Sequence, residues 1–282
     1  MTDRVSKQPL TLVTGATGKT GRRIVQRLRT LGHTVREGSR AASPAFDWDR
    51  PEHWPAVLDG VDSVYISYAP DLAVPGAVES IRSFVQLAKQ KGVQKLVLLS
   101  GRGEEEAQRC EGIVQQSGID WTVVRASWFN QNFSEGAFTE MVLNGCIVLP
   151  AGNVPEPFVD ADDIAEVAVA ALTEPGHAGQ VYEVTGPRPL SFDELASEIS
   201  TASGREVRFE SISLEAFAEG LAAAGASPQE IWLMDYLMRV ALDGRNAQVC
   251  DGVQRALGRP AKDFADYARE VALSGAWATQ AA

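Results

Sequence analysis

Cysteine and histidine are scarce in this chain of 282 residues, which has three of each. Cys110, Cys146 and Cys250 stand far apart without a CxxC spacing, and the histidines are equally dispersed. Zinc sites need ligands at short, regular spacings, and disulfide frameworks need cysteines that can pair. The sequence therefore predicts no metal site and reduced thiols, as in a cytoplasmic protein.

Long apolar runs and an excess of positive charge are also missing. No stretch of eighteen apolar residues is present, so we predict no membrane-spanning helix. The first residues, MTDRVSKQPL, are polar and lack the apolar segment of a secretory signal. The formal net charge is -11, whereas a surface that binds nucleic-acid phosphates is basic. We therefore expect a cytoplasmic protein with neither a nucleic-acid partner nor a membrane partner.

The N-terminal half contains a regular alternation of strand and helix patterns. Strand-like runs lie at 10–14, 33–39, 62–68, 95–100 and 120–125, and the run at 95–100 is almost wholly apolar. Helical patterns, with apolar residues on one face, lie near 18–31, 51–59, 75–91 and 103–117. Strands that alternate with helices in this way predict an α/β fold, a doubly wound parallel sheet covered by helices on both faces.

The segment VTGATGKTG, residues 13–21, contains GKT and allows two interpretations. A P-loop needs a glycine five positions before the glycine of GKT, and Val13 occupies that position. Gly15, Gly18 and Gly21 instead form a G-x-x-G-x-x-G variant of the dinucleotide-binding turn. In this interpretation Gly15 permits the tight turn, Gly18 lets the backbone approach the pyrophosphate, and Gly21 lets helix and strand pack closely. The pyrophosphate is expected at the helix N-terminus.

The C-terminal half predicts a smaller, mainly helical substrate lobe. The segment SFDE at 191–194 is a capping box that begins a helix, and SPQE at 227–230 is another helix start, with Pro228 at the first helical position. A strand near 181–185 is expected to return to the main sheet. We therefore divide the chain into a Rossmann-type NAD(P)-binding domain at 8–150 and a substrate lobe at 151–282.

Six segments follow one another along the chain: TGATGKTG, FDWD, GVDSVYIS, LVLLSGRG, WTVVRASWFNQNFS and PFVDADDIAEVA. This series resembles the NmrA-like branch of atypical short-chain dehydrogenases/reductases, and within it the group of the fungal festuclavine and agroclavine dehydrogenases. The resemblance covers about residues 10–277. It implies an NAD(P)H-dependent oxidoreductase that reduces a small or medium apolar acceptor, such as an imine or iminium, a quinone or a conjugated carbonyl. It does not specify the substrate or the oligomeric state.

Charges near the glycine turn favour NADP(H) over NAD(H). NAD sites place an acid at the end of the second strand, whereas NADP sites place an arginine there for the 2′-phosphate. Ser39 and Arg40 stand at that position, and Lys19 and Thr20 lie in the glycine turn. Such groups can hold a phosphate by charge-assisted hydrogen bonds. Glu37 is the alternative ribose ligand and would make NAD(H) possible, although we expect it within the strand.

The other cofactor contacts are expected in loops that follow the strands. By resemblance, Asp47 and Trp48 contact the adenine, with a plain turn as the alternative. The predicted cofactor site is completed by Thr17, Tyr68, Ala69, Pro70 and Ser100.

The catalytic residues are specified less well. Ordinary short-chain dehydrogenases carry a serine and then Tyr-x-x-x-Lys, in which the tyrosine is the general acid. Ser100 ends the fourth strand in the expected place, but residues 101–118 contain neither tyrosine nor lysine. Tyr68, at the carboxyl end of the third strand, is the candidate polar group near the nicotinamide, or it only packs its ring there. Ser100 is either a hydrogen-bonding partner of the cofactor or substrate, or structural.

The absence of the Tyr-x-x-x-Lys motif is compatible with two functions. Hydride addition to an iminium or a conjugated acceptor depends less on a protein acid than ketone reduction does. A non-catalytic regulatory protein that senses NADP(H) needs no acid at all. For the first function, Trp128, Phe129, Asn132 and Phe158 are expected to contact a small-molecule substrate, although an aromatic cluster can also be core.

Overall fold

The computed structural model describes residues 9–136 and 138–278. Its strands are β1 (Leu10–Thr14), β2 (Thr34–Gly38), β3 (Ser63–Ile66), β4 (Lys95–Gly101), β5 (Asp120–Ala126), β6 (Cys146–Leu149), β7 (Gln180–Val184) and β8 (Arg208–Ser211). Its α-helices are α1 (Lys19–Thr30), α2 (Trp54–Val57), α3 (Ala77–Gln90), α4 (Glu105–Gln115), α5 (Thr139–Leu143), α6 (Ala161–Thr173), α7 (Phe192–Ser203), α8 (Leu214–Ala223), α9 (Pro228–Val240), α10 (Gly252–Leu257) and α11 (Phe264–Ser274).

Six strands form one sheet in the order β2-β1-β3-β4-β5-β7. β1 pairs in parallel with β2 and with β3, and β3 pairs in parallel with β4. From β1 the chain moves to one side for β2 and then to the other side for β3. The boundary between β1 and β3 is therefore the switch point at which ligands bind in such sheets. The predicted Rossmann-type parallel sheet with flanking helices is confirmed.

The chain forms two compact units that alternate along the sequence. The first contains the described residues up to Ser100, together with Glu105–Arg125 and Ile164–Tyr182. The second contains Gly101–Glu104, Ala126–Asp163 and the described residues from Glu183 onward. The strand expected near 181–185 is β7, which lies beside β5 in the six-stranded sheet. The chain therefore changes unit several times, and its return to the sheet after residue 150 is one of these changes.

The core of the first unit is built on nearly uninterrupted apolar strands. Their fully buried side chains include those of Leu12, Val64, Ile66, Leu96 and Leu98. A strand covered on both faces has such a composition, and each buried side chain of this size stabilises the fold by about 1.5–3 kcal/mol. This packing fixes the strand ends that carry the loops described below.

The second unit contains a two-stranded parallel sheet, β6 with β8, and most of its other regular structure is helical. The predicted capping box at 191–194 is present, and the predicted helix start at 227–230 also forms a capping box. Ser191 accepts a hydrogen bond from the Glu194 amide at the start of α7, and Ser227 accepts one from the Glu230 amide at the start of α9. Each box satisfies backbone amides that a helix start leaves without partners.

No helix in the described parts of the chain, 9–136 and 138–278, is long and apolar enough to cross a membrane.

Candidate functional site

The glycine turn joins β1 to α1 at the switch point of the sheet. Gly15 has a φ of 63°, in the left-handed region, and its carbonyl accepts a hydrogen bond of 2.9 Å from the Gly18 amide. A Cβ atom on Gly21 would lie 2.1 Å from that same carbonyl oxygen. The fold itself therefore requires glycine at positions 15 and 21, the first for the turn and the second because α1 begins against it.

The fold requires glycine at position 18 much less. Gly18 has an ordinary φ of -76°, is exposed, and would place a Cβ near only the Gly15 oxygen, at 3.2 Å. It is the N-cap of α1, whose first turn carries no acidic residue. Amides at a helix start favour an anion, and the lack of a side chain lets that anion come close. The turn therefore fits the pyrophosphate of a dinucleotide.

Hydrogen bonds tie the carboxyl ends of β1 and β3 together beside this turn. The Thr14 hydroxyl donates to the carbonyls of Tyr65 and Ser67, each at 3.2 Å, and accepts from the Ser67 amide at 2.8 Å. Gly15 lies next to Ser67, whose side chain would be 3.3 Å from a Cβ on Gly15. The predicted residues Thr17, Ala69 and Pro70 are exposed in the two loops that leave this junction.

The tip of β2 carries an exposed cation. Arg40 is exposed, and no carboxylate among the described residues forms an ion pair with it. Ser39, before it, is partly buried, and its carbonyl accepts from the Phe46 amide at 2.9 Å. Glu37 lies inside β2, where Arg29 of α1 pairs with its carboxylate at 2.6 Å. The acid that would favour NAD(H) therefore has a cationic partner of its own, whereas the arginine stands at the tip.

The two other residues predicted for the 2′-phosphate are placed differently from each other. Lys19 is partly buried in the first turn of α1. Thr20 is only 4% exposed, and its hydroxyl accepts a 3.0 Å hydrogen bond from Tyr65 of β3. Burial raises the pKa of the Tyr65 phenol, so this donor keeps its proton. The Thr20 side chain thus faces the sheet, which argues against a phosphate contact through its hydroxyl.

Asp47 and Trp48 lie in the loop after β2, where they shape the turn. The Trp48 indole N–H donates to the Ser67 carbonyl at 3.1 Å, and its ring packs edge-on against Phe84 of α3 at 5.2 Å. The Asp47 carbonyl accepts from the Trp54 indole at 2.8 Å. Trp48 is therefore a core residue, whereas the partly exposed Asp47 carboxylate remains a candidate adenine contact.

Tyr68 has the contacts of a packing residue. Its ring lies 4.8 Å from that of Trp48, at the margin of the apolar core of the first unit. Burial raises the pKa of its phenol, and a hydrogen bond with Ser80 of α3 opposes this effect only in part. These contacts favour ring packing over proton donation, the two roles that the sequence left open.

Ser100 takes part in a buried ion-pair network. Its hydroxyl donates to Glu111 of α4 at 2.6 Å, and the Arg125 guanidinium of β5 donates to both oxygens of the same carboxylate. Ser100 and Glu111 are 4% and 2% exposed. The hydroxyl proton is thereby engaged by a carboxylate, so Ser100 is a poor proton donor. The sequence signal for this network is the acid at position 111 within the apolar face of α4.

All four predicted substrate residues lie in the second unit, and three of them have part of their surface exposed. The Trp128 ring stacks on that of Phe138 at 6.2 Å, Phe129 forms a parallel bridge with Val159, and the Asn132 carbonyl accepts from the Phe138 amide. Phe158 differs. It is 2% exposed, and its ring packs against those of Phe133, Phe192 and Phe264. Its contacts favour a core role over substrate contact.

Sequence reasoning missed a buried arginine directly after β4. Arg102 is 8% exposed and lies in the second unit. Its guanidinium donates to the Ser127 hydroxyl, the carbonyls of Asn246 and Gln248, and the thiol sulfur of Cys250, and it lies 3.5 Å from the Glu183 carboxylate. One side chain thus binds the loops after β4 and β5 to the segment that precedes α10.

Comparison with known proteins places these features in a family. The family model described as NAD(P)H-binding matches residues 15–175. The NAD(P)H azoreductase of Xenophilus azovorans is 34% identical over 284 residues, which cover 92% of this chain and 96% of the relative. The festuclavine dehydrogenase easG of Aspergillus fumigatus is 30% identical over 284 residues, with coverage of 92% and 96%.

A solved structure, the Citrobacter sp. triphenylmethane reductase complexed with NADP(H), has the same fold. It matches with a TM-score of 0.74 at 20% identity, over 93% of this chain and 99% of that chain. The family match begins at Gly15 of the glycine turn, and the relatives extend over nearly the whole chain. The chain therefore belongs to the NAD(P)H-binding, NmrA-like family of oxidoreductases, as its resemblance to the festuclavine and agroclavine dehydrogenases implied.

Proposed function

We propose that this protein is an NADPH-dependent reductase of a small or medium apolar acceptor, an imine or iminium, a quinone or a conjugated carbonyl. The observation that carries the proposal is the glycine turn, in which position 18 is free of a side chain although the fold does not demand it. The relatives described above are named for azo compounds, a clavine alkaloid and triphenylmethane dyes. Conjugated, largely apolar molecules of these kinds accept a hydride.

Different residues of this chain bind different parts of the cofactor. The amides at the start of α1 hold the pyrophosphate, because the helix dipole favours an anion there. Arg40, with Lys19 and Ser39, holds the 2′-phosphate, and the Asp47 carboxylate accepts from the adenine amine. The bound cofactor supplies a hydride.

The acceptor is bound by the second unit. Trp128 and Phe129 offer large, partly exposed apolar surfaces, and Asn132 offers a polar contact that orients the acceptor. Apolar walls also exclude water from the acceptor. We place this chemistry in the cytoplasm, where the free cysteines, Cys110, Cys146 and Cys250, would stay reduced.

A panel of acceptors tests the function. We expect oxidation of NADPH above background with at least one of a naphthoquinone, an aromatic enal, a cyclic N-alkyl iminium and an azo dye. NADH should support the same reaction with a higher KM, because it lacks the phosphate that Arg40 contacts. NADPH affinity is measured in parallel by calorimetry. Tight NADPH binding without turnover of any acceptor would instead identify a sensor of NADP(H).

A further inference from the structure

Helix α1 has an asymmetric charge distribution. It contains no acid and several cations, Lys19, Arg22, Arg23, Arg27 and Arg29, in a chain whose formal net charge is -11. Cations in the last turn, such as Arg27 and Arg29, stabilise a helix through its dipole, whereas cations near the N-terminus oppose the dipole. Lys19 and Arg22 also stand three residues apart on one face, where like charges repel each other. The cations at the start of α1 therefore destabilise the helix itself.

Arg22 lies on the open face of the first turn of α1. Its amide donates to the Gly18 carbonyl at 3.1 Å, which closes that turn. Thr20 and Gly21 are buried on the opposite face, where Thr20 accepts a hydrogen bond from Tyr65 of β3. Gly18 and Arg22 are both exposed, and residues four apart share one face of a helix. The position without a side chain and the arginine thus border the same surface.

Helix geometry directs the side chain at position 22 toward the start of the helix. Cα–Cβ bonds tilt toward the N-terminus, so a long side chain covers the turn that precedes its own Cα. For Arg22 that turn begins at Gly18, the residue in front of which the pyrophosphate approaches in the proposed function. A cation that disfavours the free helix therefore lies where an anion is expected.

We propose that Arg22 contacts the pyrophosphate of the bound dinucleotide. A guanidinium can hold the anionic oxygens of this group by charge-assisted hydrogen bonds. The contact is common to NADPH and NADH, in contrast to that of Arg40, which the proposed function assigns to the 2′-phosphate. The inference rests on the proposed placement of the pyrophosphate at the glycine turn, and it does not depend on reductase activity.

Calorimetry of Arg22→Gln with three ligands tests the contact. NADPH, NADH and ADP-ribose all contain the pyrophosphate, and ADP-ribose lacks both the nicotinamide and the 2′-phosphate. We expect the affinity for each ligand to fall by the same factor, about three- to tenfold, because the contact is exposed to solvent. Arg22→Lys should recover most of this loss, since it keeps the charge. The difference between wild type and Arg22→Gln should shrink at high salt, because the Debye length is only about 3 Å at about 1 M.

Urea unfolding without a ligand distinguishes a binding role of Arg22 from a structural one. Removal of a cation from the start of a helix relieves an unfavourable interaction with the dipole. The urea midpoint of Arg22→Gln should therefore equal or exceed that of wild type, although the variant binds the three ligands more weakly. A residue that served only the fold would lower the midpoint when it is replaced.

Arg27→Gln is the matched control. It removes the same charge from the last turn of the same helix, where Arg27 pairs with Glu166 at 3.2 Å. The dipole favours a cation in that turn, so the urea midpoint of this variant should fall. Its affinity for the three ligands should stay within about twofold of wild type, because Arg27 lies at the opposite end of the helix from the pyrophosphate.

Three results would overturn the proposal. Unchanged affinities in Arg22→Gln would show that the residue does not contact the pyrophosphate. A loss confined to NADPH would assign Arg22 to the 2′-phosphate, and a loss of affinity together with a lower urea midpoint would assign it to the fold. Failure of the proposed pyrophosphate placement is recognised separately, by a folded Gly18→Val protein that binds NADPH with wild-type affinity.

Discussion

Gly18→Val should reduce NADPH affinity by more than about a hundredfold, a loss of over ~2.7 kcal/mol of binding free energy. The valine side chain would occupy the space in front of the first turn of α1, where the pyrophosphate must approach the amides. The fold should survive, because the φ of Gly18 is -76° and the added Cβ meets only the Gly15 oxygen, at 3.2 Å. Calorimetry with NADPH, together with urea unfolding, measures both effects.

Gly21→Ala is the control, because we expect this substitution to destabilise the fold, whereas Gly18→Val should leave the fold intact. Its Cβ would lie 2.1 Å from the Gly15 oxygen, so either the turn or the start of α1 must move. We expect a lower urea midpoint for Gly21→Ala and a nearly unchanged midpoint for Gly18→Val. Unchanged NADPH affinity in a folded Gly18→Val protein would refute the assignment of this turn as the dinucleotide site.

The glycine turn shows which features a sequence can predict. The turn and helix α1 are defined by residues within a short stretch, so spacing and periodicity are enough to identify them. The strands and helices of the first half follow local patterns for the same reason, and so do the capping boxes at Ser191 and Ser227. Local chemistry also identified Arg40 as the cation after β2.

The buried polar groups could not be predicted because their partners are distant in the chain. Arg102 donates to the Asn246 carbonyl across 144 residues, and no local pattern marks that contact. Glu156 lies in a loop of mixed composition, and its burial results from packing of the second unit. The sequence left the roles of Trp48 and Phe158 open for a related reason, since an aromatic residue beside a ligand site and one in the core have the same sequence signature.

The proposed preference for NADP(H) depends most directly on Arg40. Hydrogen bonds between charged groups contribute about 1.5–3 kcal/mol each, and ~1.4 kcal/mol corresponds to a factor of ten in affinity. Arg40→Ala should therefore weaken NADPH binding by about ten- to a hundredfold. Affinity for NADH should change little, because NADH lacks the 2′-phosphate. Lys19→Ala should show the same asymmetry to a smaller degree.

Glu37→Gln distinguishes the assignment of Arg40 to the 2′-phosphate from the alternative, in which Glu37 binds the ribose. If Glu37 contacted the ribose, its charge would repel a 2′-phosphate, wild type would prefer NADH, and Arg40→Ala would affect both cofactors equally. The structure instead pairs Glu37 with Arg29, a partly exposed ion pair worth at most about 1 kcal/mol. We therefore expect Glu37→Gln to leave the ratio of the two dissociation constants within about threefold of wild type, a difference of less than ~1 kcal/mol. The dissociation constants of NADPH and NADH are measured for wild type and both variants. If Arg40→Ala leaves the ratio of these two constants unaltered, Arg40 does not contact the 2′-phosphate.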